Sequence, residues 1–467
     1  IDLTAKDLRL QANGNIGVLD NPLDIDVTTL SALSSENVSL IEQDTLHISD
    51  TDAVVKRVAQ NGLLSEKFNY AKAQSDIITT DNGSIIIRSL AGSIVLDDGF
   101  ASPDNRAINA HGTGNILIQT HEETATIIAN AGLISDTGHI SVLSDSDITF
   151  TGMADIVTGG SGTIDIESFE GELFFGTSSN QTASNGNIRL KAKTNITLGG
   201  TVTTTNDISV KAGAWIHDGD AVGGIDLVAS NLRLEAGIDI GSVGADSGNA
   251  IETKVSTISA FAKGNINIHE SDQLVVGNTA EVNVKRVADN AAVSDITDSA
   301  QSDLISSAEG SIILRSSAGD IILNDGTVTD NNESISASGS GNILVEAIGN
   351  GTSITANANV ISNGGNITVK ADNNVEFNSS VDISSNGGTL DVQATDGSIT
   401  FSKTSNQDSV SGNIRFRAGT NITLGGPVTT SGKISLKAGA WIHDGDTIDG
   451  SIDLFASGLR IESGADT

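Results

Sequence analysis

The chain has 467 residues, of which 51 are Gly, 37% are hydrophobic, 18% are charged and only 3% are aromatic. That mixture holds too many β-branched residues for a disordered chain and too few aromatics for an ordinary mixed globule. With 25 Lys and Arg against 59 Asp and Glu, the net charge of −34 repels phosphate backbones and anionic headgroups and argues against a nucleic-acid partner. There is no Cys, so disulfides, thiolate metal sites and thiol nucleophiles are excluded.

In chain order, the phrase Leu3 to Leu10 comes first, reading Leu-x-Ala-x-x-Leu-Arg-Leu. The segment Asp52 to Ala73, carrying Val54, Val55, Val58, Leu63 and Leu64, then departs from strand alternation and is predicted as an irregular excursion, a protruding loop with a helical turn. From Ile85 a short motif takes over, Ile-x-Leu/Val/Ile after a Gly, Asn, Asp or Ser. It recurs at Ile116, Ile140, Ile164, Ile188, Ile208 and Leu232, with successive members 20 to 24 residues apart. Further strands fall between them, as at Ile148 to Phe150, Leu173 to Phe175, Ile196 to Leu198 and Ile225 to Leu227, so a strand comes about every 8 residues. A second excursion is predicted over Val282 to Ala300, and the pattern resumes at Ile312. Pro22, Pro103 and Pro427 are placed at turns or strand starts, where a missing N–H donor is tolerated.

A longer period lies over the short one. Gly186-Asn-Ile-Arg-Leu-Lys-Ala-Lys-Thr-Asn-Ile-Thr-Leu-Gly-Gly200 returns as Gly412-Asn-Ile-Arg-Phe-Arg-Ala-Gly-Thr-Asn-Ile-Thr-Leu-Gly-Gly426, an offset of 226 residues. The Leu3 phrase returns at Leu227 and again at Leu454. We therefore divide the chain into a first long repeat (1–226), a second (227–453) and the start of a third (454–467), and expect more such units in a longer protein. No cationic leader opens the chain, and no run of 18 apolar residues offers a membrane span, so targeting signals are expected outside it and membrane insertion is not.

Three short strands per turn of 20–24 residues predict an all-β chain, a right-handed parallel β-helix. One or two aliphatics per strand point inward and stack in columns, with rungs about 4.8 Å apart.

The phrases Gly186 to Ala192, Thr194 to Gly200 and Gly365 to Ala371 resemble the repeats of filamentous haemagglutinin-like proteins, large bacterial exoproteins commonly secreted through an outer-membrane partner. The resemblance implies a right-handed β-helix, an extracellular or cell-surface location and a role in adhesion or as a stalk. It carries over no binding residues. The family's amino-terminal secretion domain is not found in this sequence.

The most distinctive local cluster is Trp215-Ile216-His217-Asp218-Gly219-Asp220, repeated at Trp441, His443, Asp444 and Asp446 with the only two tryptophans. Trp215, His217, Trp441 and His443 are candidates for stacking a sugar. Asp218, Asp220, Asp444 and Asp446 are candidates for holding calcium, which takes several oxygen ligands. The plainer reading is a wide rung corner that Trp fills and Asp-Gly-Asp turns. The acidic turns Asp97 to Gly99, Asn324 to Gly326 and Asp330 to Asn332 fit neither an EF-hand nor the calcium nonapeptide, and are read as ordinary turns. Asn373-Asn374 is read as part of a stacked amide column. The Lys-Arg pairs at 56–57 and 285–286 are read as solvated loop charges.

No phosphate loop, nucleophile elbow or His-Glu-x-x-His occurs, and near-identical units lack the singular constellation that catalysis needs, so no enzyme, catalytic residue or cofactor is expected. The expected function is the structural shaft of a secreted bacterial surface fibre or adhesin. A filament or sheath building block and a carbohydrate- or calcium-binding surface module are the alternatives. The expected partners are copies of the chain itself, a host or neighbouring cell surface, glycans and a secretion partner.

Overall fold

The computed structural model describes residues 1–69, 73–101, 103–220, 223–244, 250–328, 331–446 and 452–464. Among them every regular element is a strand, and the chain is a parallel β-solenoid. It divides into two compact units, residues 1–207 with 283–297, and residues 208–282 with 298–467.

In the first unit the strands form three columns. Ile85–Ser89, Ile116–Thr120, Ile140–Ser144, Ile164–Ser168 and Ile188–Ala192 stack parallel and in register, placing Ile85, Ile116, Ile140, Ile164 and Ile188 one above another. Ile94–Leu96, Ile127–Ala129, Ile148–Phe150, Leu173–Phe175 and Ile196–Leu198 form a second column. A third runs from Ile77–Thr79 through Arg106–Ala110 and Gly132–Ser135 to Val202–Thr204. The second unit repeats the scheme, with Ile266, Ile312, Ile343, Ile367, Leu390, Ile414 and Ile434 in one line.

The period of two explains why these residues make these strands. In three-residue strands such as Ile94–Leu96, Ile148–Phe150 and Ile196–Leu198 the first and third residues point in and are fully buried, while the middle one faces out. Each buried Ile or Leu contributes roughly 1.5–3 kcal/mol. The few Phe residues are used the same way: Phe150 stacks on Phe175 at 5.2 Å, and Phe377 on Phe401 at 4.9 Å. Like side chains stack, so the interior is a set of columns.

Corners are closed by polar groups reaching one rung along. Asn115 Oδ1 accepts from the His139 amide, Asn342 Oδ1 from Asn366, and Asn374 Oδ1 from Ser398, so Asn374 bridges rungs to a serine and not in the stacked amide column read for Asn373-Asn374. At the glycine corner Gly162 and Gly186 sit so close that a Cβ on Gly186 would lie 1.7 Å from the Gly162 carbonyl oxygen. Of the acidic turns, Asp98 Oδ2 accepts the Asn105 amide and Asp325 Oδ2 the Asn332 amide, which is turn chemistry. Asp330 lies outside the described residues.

The two excursions are not helical. Each is a β-hairpin set apart from the columns: Val54–Val58 with Leu64–Asn69, and Val282–Val287 with Val293–Asp298. Their turns are the same. The Ala59 amide donates to the Leu63 carbonyl and Ala288 to Ala292, and Asn61 and Asn290 Oδ1 accept from Leu63 and Ala292. Valines in the two strands suit an extended ladder better than a helix, and the Asn-led turn closes it.

Candidate functional site

The two Asp-bearing turns the sequence singles out lie in the second unit. Ile216 is fully buried in its rung, which points Trp215 and His217 outward, and their rings stack at 5.9 Å. Trp441 and His443 repeat the pair at 6.2 Å, with Trp441 59% exposed. Strand alternation keeps Ile216 inside and leaves Trp215 half-buried on the outer side of its rung.

Behind the first turn the fold assembles an acidic pocket. Asp218 Oδ1 accepts the Asp220 amide, an Asx-type turn that aims the other carboxylate oxygen inward. There it meets Asp226 from the following turn and Glu252 from the strand Ile251–Ala262. One oxygen from each of the three lies within 4.8 Å of the others. Asp226 Oδ2 accepts the Glu252 amide at 2.9 Å. Glu252 is only 6% exposed, and among the described residues neither of its carboxylate oxygens, nor Asp218 Oδ2, has a close hydrogen-bond donor.

Burial pushes the Asp226 carboxyl up to about 9 and Glu252 up to about 7, with neighbouring carboxylates adding to both, and burial raises Asp218 as well. Three buried carboxylates cannot all stay ionised without compensation; they share protons or hold a cation. An all-oxygen, trianionic donor set suits a hard divalent ion such as calcium. Asp220 stands outside this triad, orienting Asp218 through its amide and adding its charge to the field on Asp226. At the second turn Asp444, Asp446 and Asp453 come together in a more open version, and Asp446 donates its amide to Asp444 Oδ1.

Sequence reasoning missed Asp226 and Glu252. Asp226 has a signal, since Ile-Asp-Leu recurs at 1–3, 225–227 and 452–454. Glu252 has none, because only the rung stacking brings it to Asp226.

A third acidic group, Asp26, Glu42 and Asp44, is of a different kind. Glu42 accepts amides from Val27, Gln43 and Asp44 and so caps the backbone. Its counterpart Glu270 does the same for Val255, Ser271 and Asp272.

In the first unit the hairpin residues 283–297 lie along the outer side of the Ile85-to-Ile188 column. Val287 is buried among Ile86, Leu117 and Leu143, with Leu19 packed alongside. Arg286 enters a buried network: its Nε donates to Asp165 Oδ2 at 2.6 Å, and it also pairs with Glu167. Arg189 donates to Asp165 Oδ1 at 2.9 Å and to Glu167 Oε2 at 3.0 Å, and Lys191 meets Glu167 Oε1 at 2.7 Å. Burial alone would raise Glu167, but the hydrogen bonds from Lys191 and Arg286 and the charge of Arg189 hold it down at about 2. The Arg286 side chain is 18% exposed, so it is not the solvated loop charge read from sequence, whereas Lys285 stays 40% exposed beside Asp295. The Lys285 and Val287 amides donate to Thr163 Oγ1 and Ser141 Oγ, and the Ala291 carbonyl accepts from Asn115.

No protein-family model, curated protein or solved structure matches the chain.

Proposed function

We propose that this chain is a non-catalytic shaft segment of a bacterial cell-surface fibre or adhesin, which spaces a binding region from the cell. The observation that carries the reading is the column architecture: each unit repeats one rung register, and the interior is lined by stacked aliphatics and not by a cleft. Such a stack is stabilised between neighbouring rungs, so it extends by adding units without changing its interior. The resemblance to filamentous haemagglutinin-like repeats supports an extracellular setting. Electron cryo-microscopy of the full-length protein on its native cell tests it. Projecting rods that end in a distinct head support the shaft; a lateral lattice of solenoids would replace it with a sheath.

A second reading, a cation-loaded surface module, is favoured by the Glu252 carboxylate, without a close donor among the described residues, beside Asp218 and Asp226. Calorimetric titration with calcium tests it: binding lost in Glu252→Gln and Asp226→Asn supports it, and no heat above that of the double variant removes it. Sugar binding at Trp215 and Trp441 is tested by a glycan array with Trp215→Ala and Trp441→Ala.

A further inference from the structure

The Asp218–Asp226–Glu252 pocket lies where the second long repeat begins. The strands leading up to it, Val202–Thr204, Asp207–Ala212 and Ile216–Asp218, have three to six residues. The chain then enters two long strands, Leu227–Ala236 and Ile251–Ala262, which pair in register one rung apart. Asp218 ends its strand, Asp226 stands immediately before Leu227, and Glu252 is the second residue of Ile251–Ala262. The pairing of Leu227 with Thr253 sets Asp226 beside Glu252 across that rung step, with the Glu252 amide on Asp226 Oδ2. The pocket therefore draws its carboxylates from two successive rungs. Val202–Thr204 pairs with the first long strand and Leu304–Ser306 with the second, so further rungs stack on both sides.

Oxygens that share one calcium ion at about 2.3–2.6 Å lie within about 5 Å of one another, and one oxygen from each of these three carboxylates does so, within 4.8 Å. Glu252 is buried there with no close donor to either oxygen among the described residues. The acids are also kept where the repeat recurs. Asp2 and Asp24 hold the positions of Asp226 and Glu252, and the Asp24 amide again donates to Asp2 Oδ2, at 3.2 Å. Asp444 and Asp453 hold the positions of Asp218 and Asp226. Carboxylates engaged in ion pairs are not kept in the same way: Glu167 is answered by Gln393, and Glu235 by Gln11.

We propose that a hard divalent cation such as calcium, held by Asp218, Asp226 and Glu252, clamps two successive rungs where the second long repeat begins. The inference rests on the cation-loaded reading and changes the role of the ion, which is a structural cross-link inside the solenoid and is not presented to a partner. Its charge offsets three carboxylates that burial sets against one another. Glu252 reaches the other two only through rung stacking, so the complete site exists only in the folded chain and its occupancy stabilises those rungs. The local firmness of the shaft then follows the calcium level around it.

Amide exchange of the full chain, stripped of metal by a chelator and measured with and without millimolar calcium, tests the clamp. Exchange over residues 226–262 is expected to slow about tenfold or more with calcium, while residues 140–192 stay unchanged. Glu252→Gln abolishes the slowing. Glu252→Asp, which installs the shorter acid present at Asp24, retains part of it, and Glu376→Gln, at an exposed strand position far along the chain, leaves it whole. Slowing that survives Glu252→Gln, or that spreads equally over the chain, overturns the clamp. Circular dichroism confirms that each variant is folded. Calorimetry on the same samples separates the clamp from the reading beneath it. Calcium heat that depends on Glu252 without any slowing sinks the clamp and leaves cation binding standing, whereas no calcium heat sinks both.

Discussion

The two hairpins have nearly the same sequence at their turns and opposite surroundings. Around Arg286 and Val287 the solenoid face supplies buried carboxylates and an apolar socket; around Arg57 and Val58 the side chains face solvent. The same residues are thus core in one copy and surface in the other. What a Lys-Arg-Val phrase contributes depends on what lies beneath it, and the phrase itself does not say.

The largest test of that contrast is Arg286→Ala against Arg57→Ala. The first strands buried Asp165 and Glu167 with fewer partners and is expected to cost about 3–5 kcal/mol in the first unit, while the second is expected to stay within about 0.5 kcal/mol. Hydrogen exchange of residues 85–192 reads the difference; equal protection in both variants would break the comparison.

A pH titration is expected to separate the Glu167 network from the Asp226–Glu252 pocket. Glu167 titrates low in the folded state, so its stabilising share is present above the ordinary carboxylate range and is lost as pH falls from there through about 2, worth about 3 kcal/mol at most. Asp226 and Glu252 titrate high, so their share is present below the ordinary carboxylate range and is lost as pH rises through about 7 and then about 9. Amide protection should therefore fall at the hairpin 283–297 in acid and around residues 226–252 in base. Calcium in mild base should restore the latter only while Glu252 is intact.

Next in size is Val287→Ala, expected to lower stability by about 1–2 kcal/mol against a few tenths for Val58→Ala, read from thermal unfolding. Smallest is the turn. Ala291 sits at φ +60° where its counterpart is Gly62 at +76°. Ala291→Gly is therefore expected to raise hairpin stability by about 0.5–1 kcal/mol and Gly62→Ala to lower it similarly; NMR of the turn amides would report a reversed order.

Much of the solenoid was legible from sequence, since Ile116, Ile140, Ile164 and Ile188 announce both the rung length and the buried face. The Asp218 and Asp444 turns were legible as clusters of oxygen donors. Helical turns expected in the excursions were wrong, because valines at 54, 55 and 58 were spaced ambiguously and a hairpin away from the columns leaves no rung period to follow. How far each tryptophan is covered was not legible, because Trp215 is half-buried and Trp441 exposed in the same repeated phrase, a difference set by what lies beside each rung.

By itself the sequence determined the rung, the inward columns and the long repeat, because each depends on local periodicity and short turns that residues a few positions apart specify together. Only the tertiary structure decided that Arg286 meets Asp165, 121 positions earlier, and that Glu252 meets Asp218. Those partners come from stacking rungs and from a hairpin laid across them, and burial turned ordinary charges into a locked network in one place and an unbalanced pocket in another.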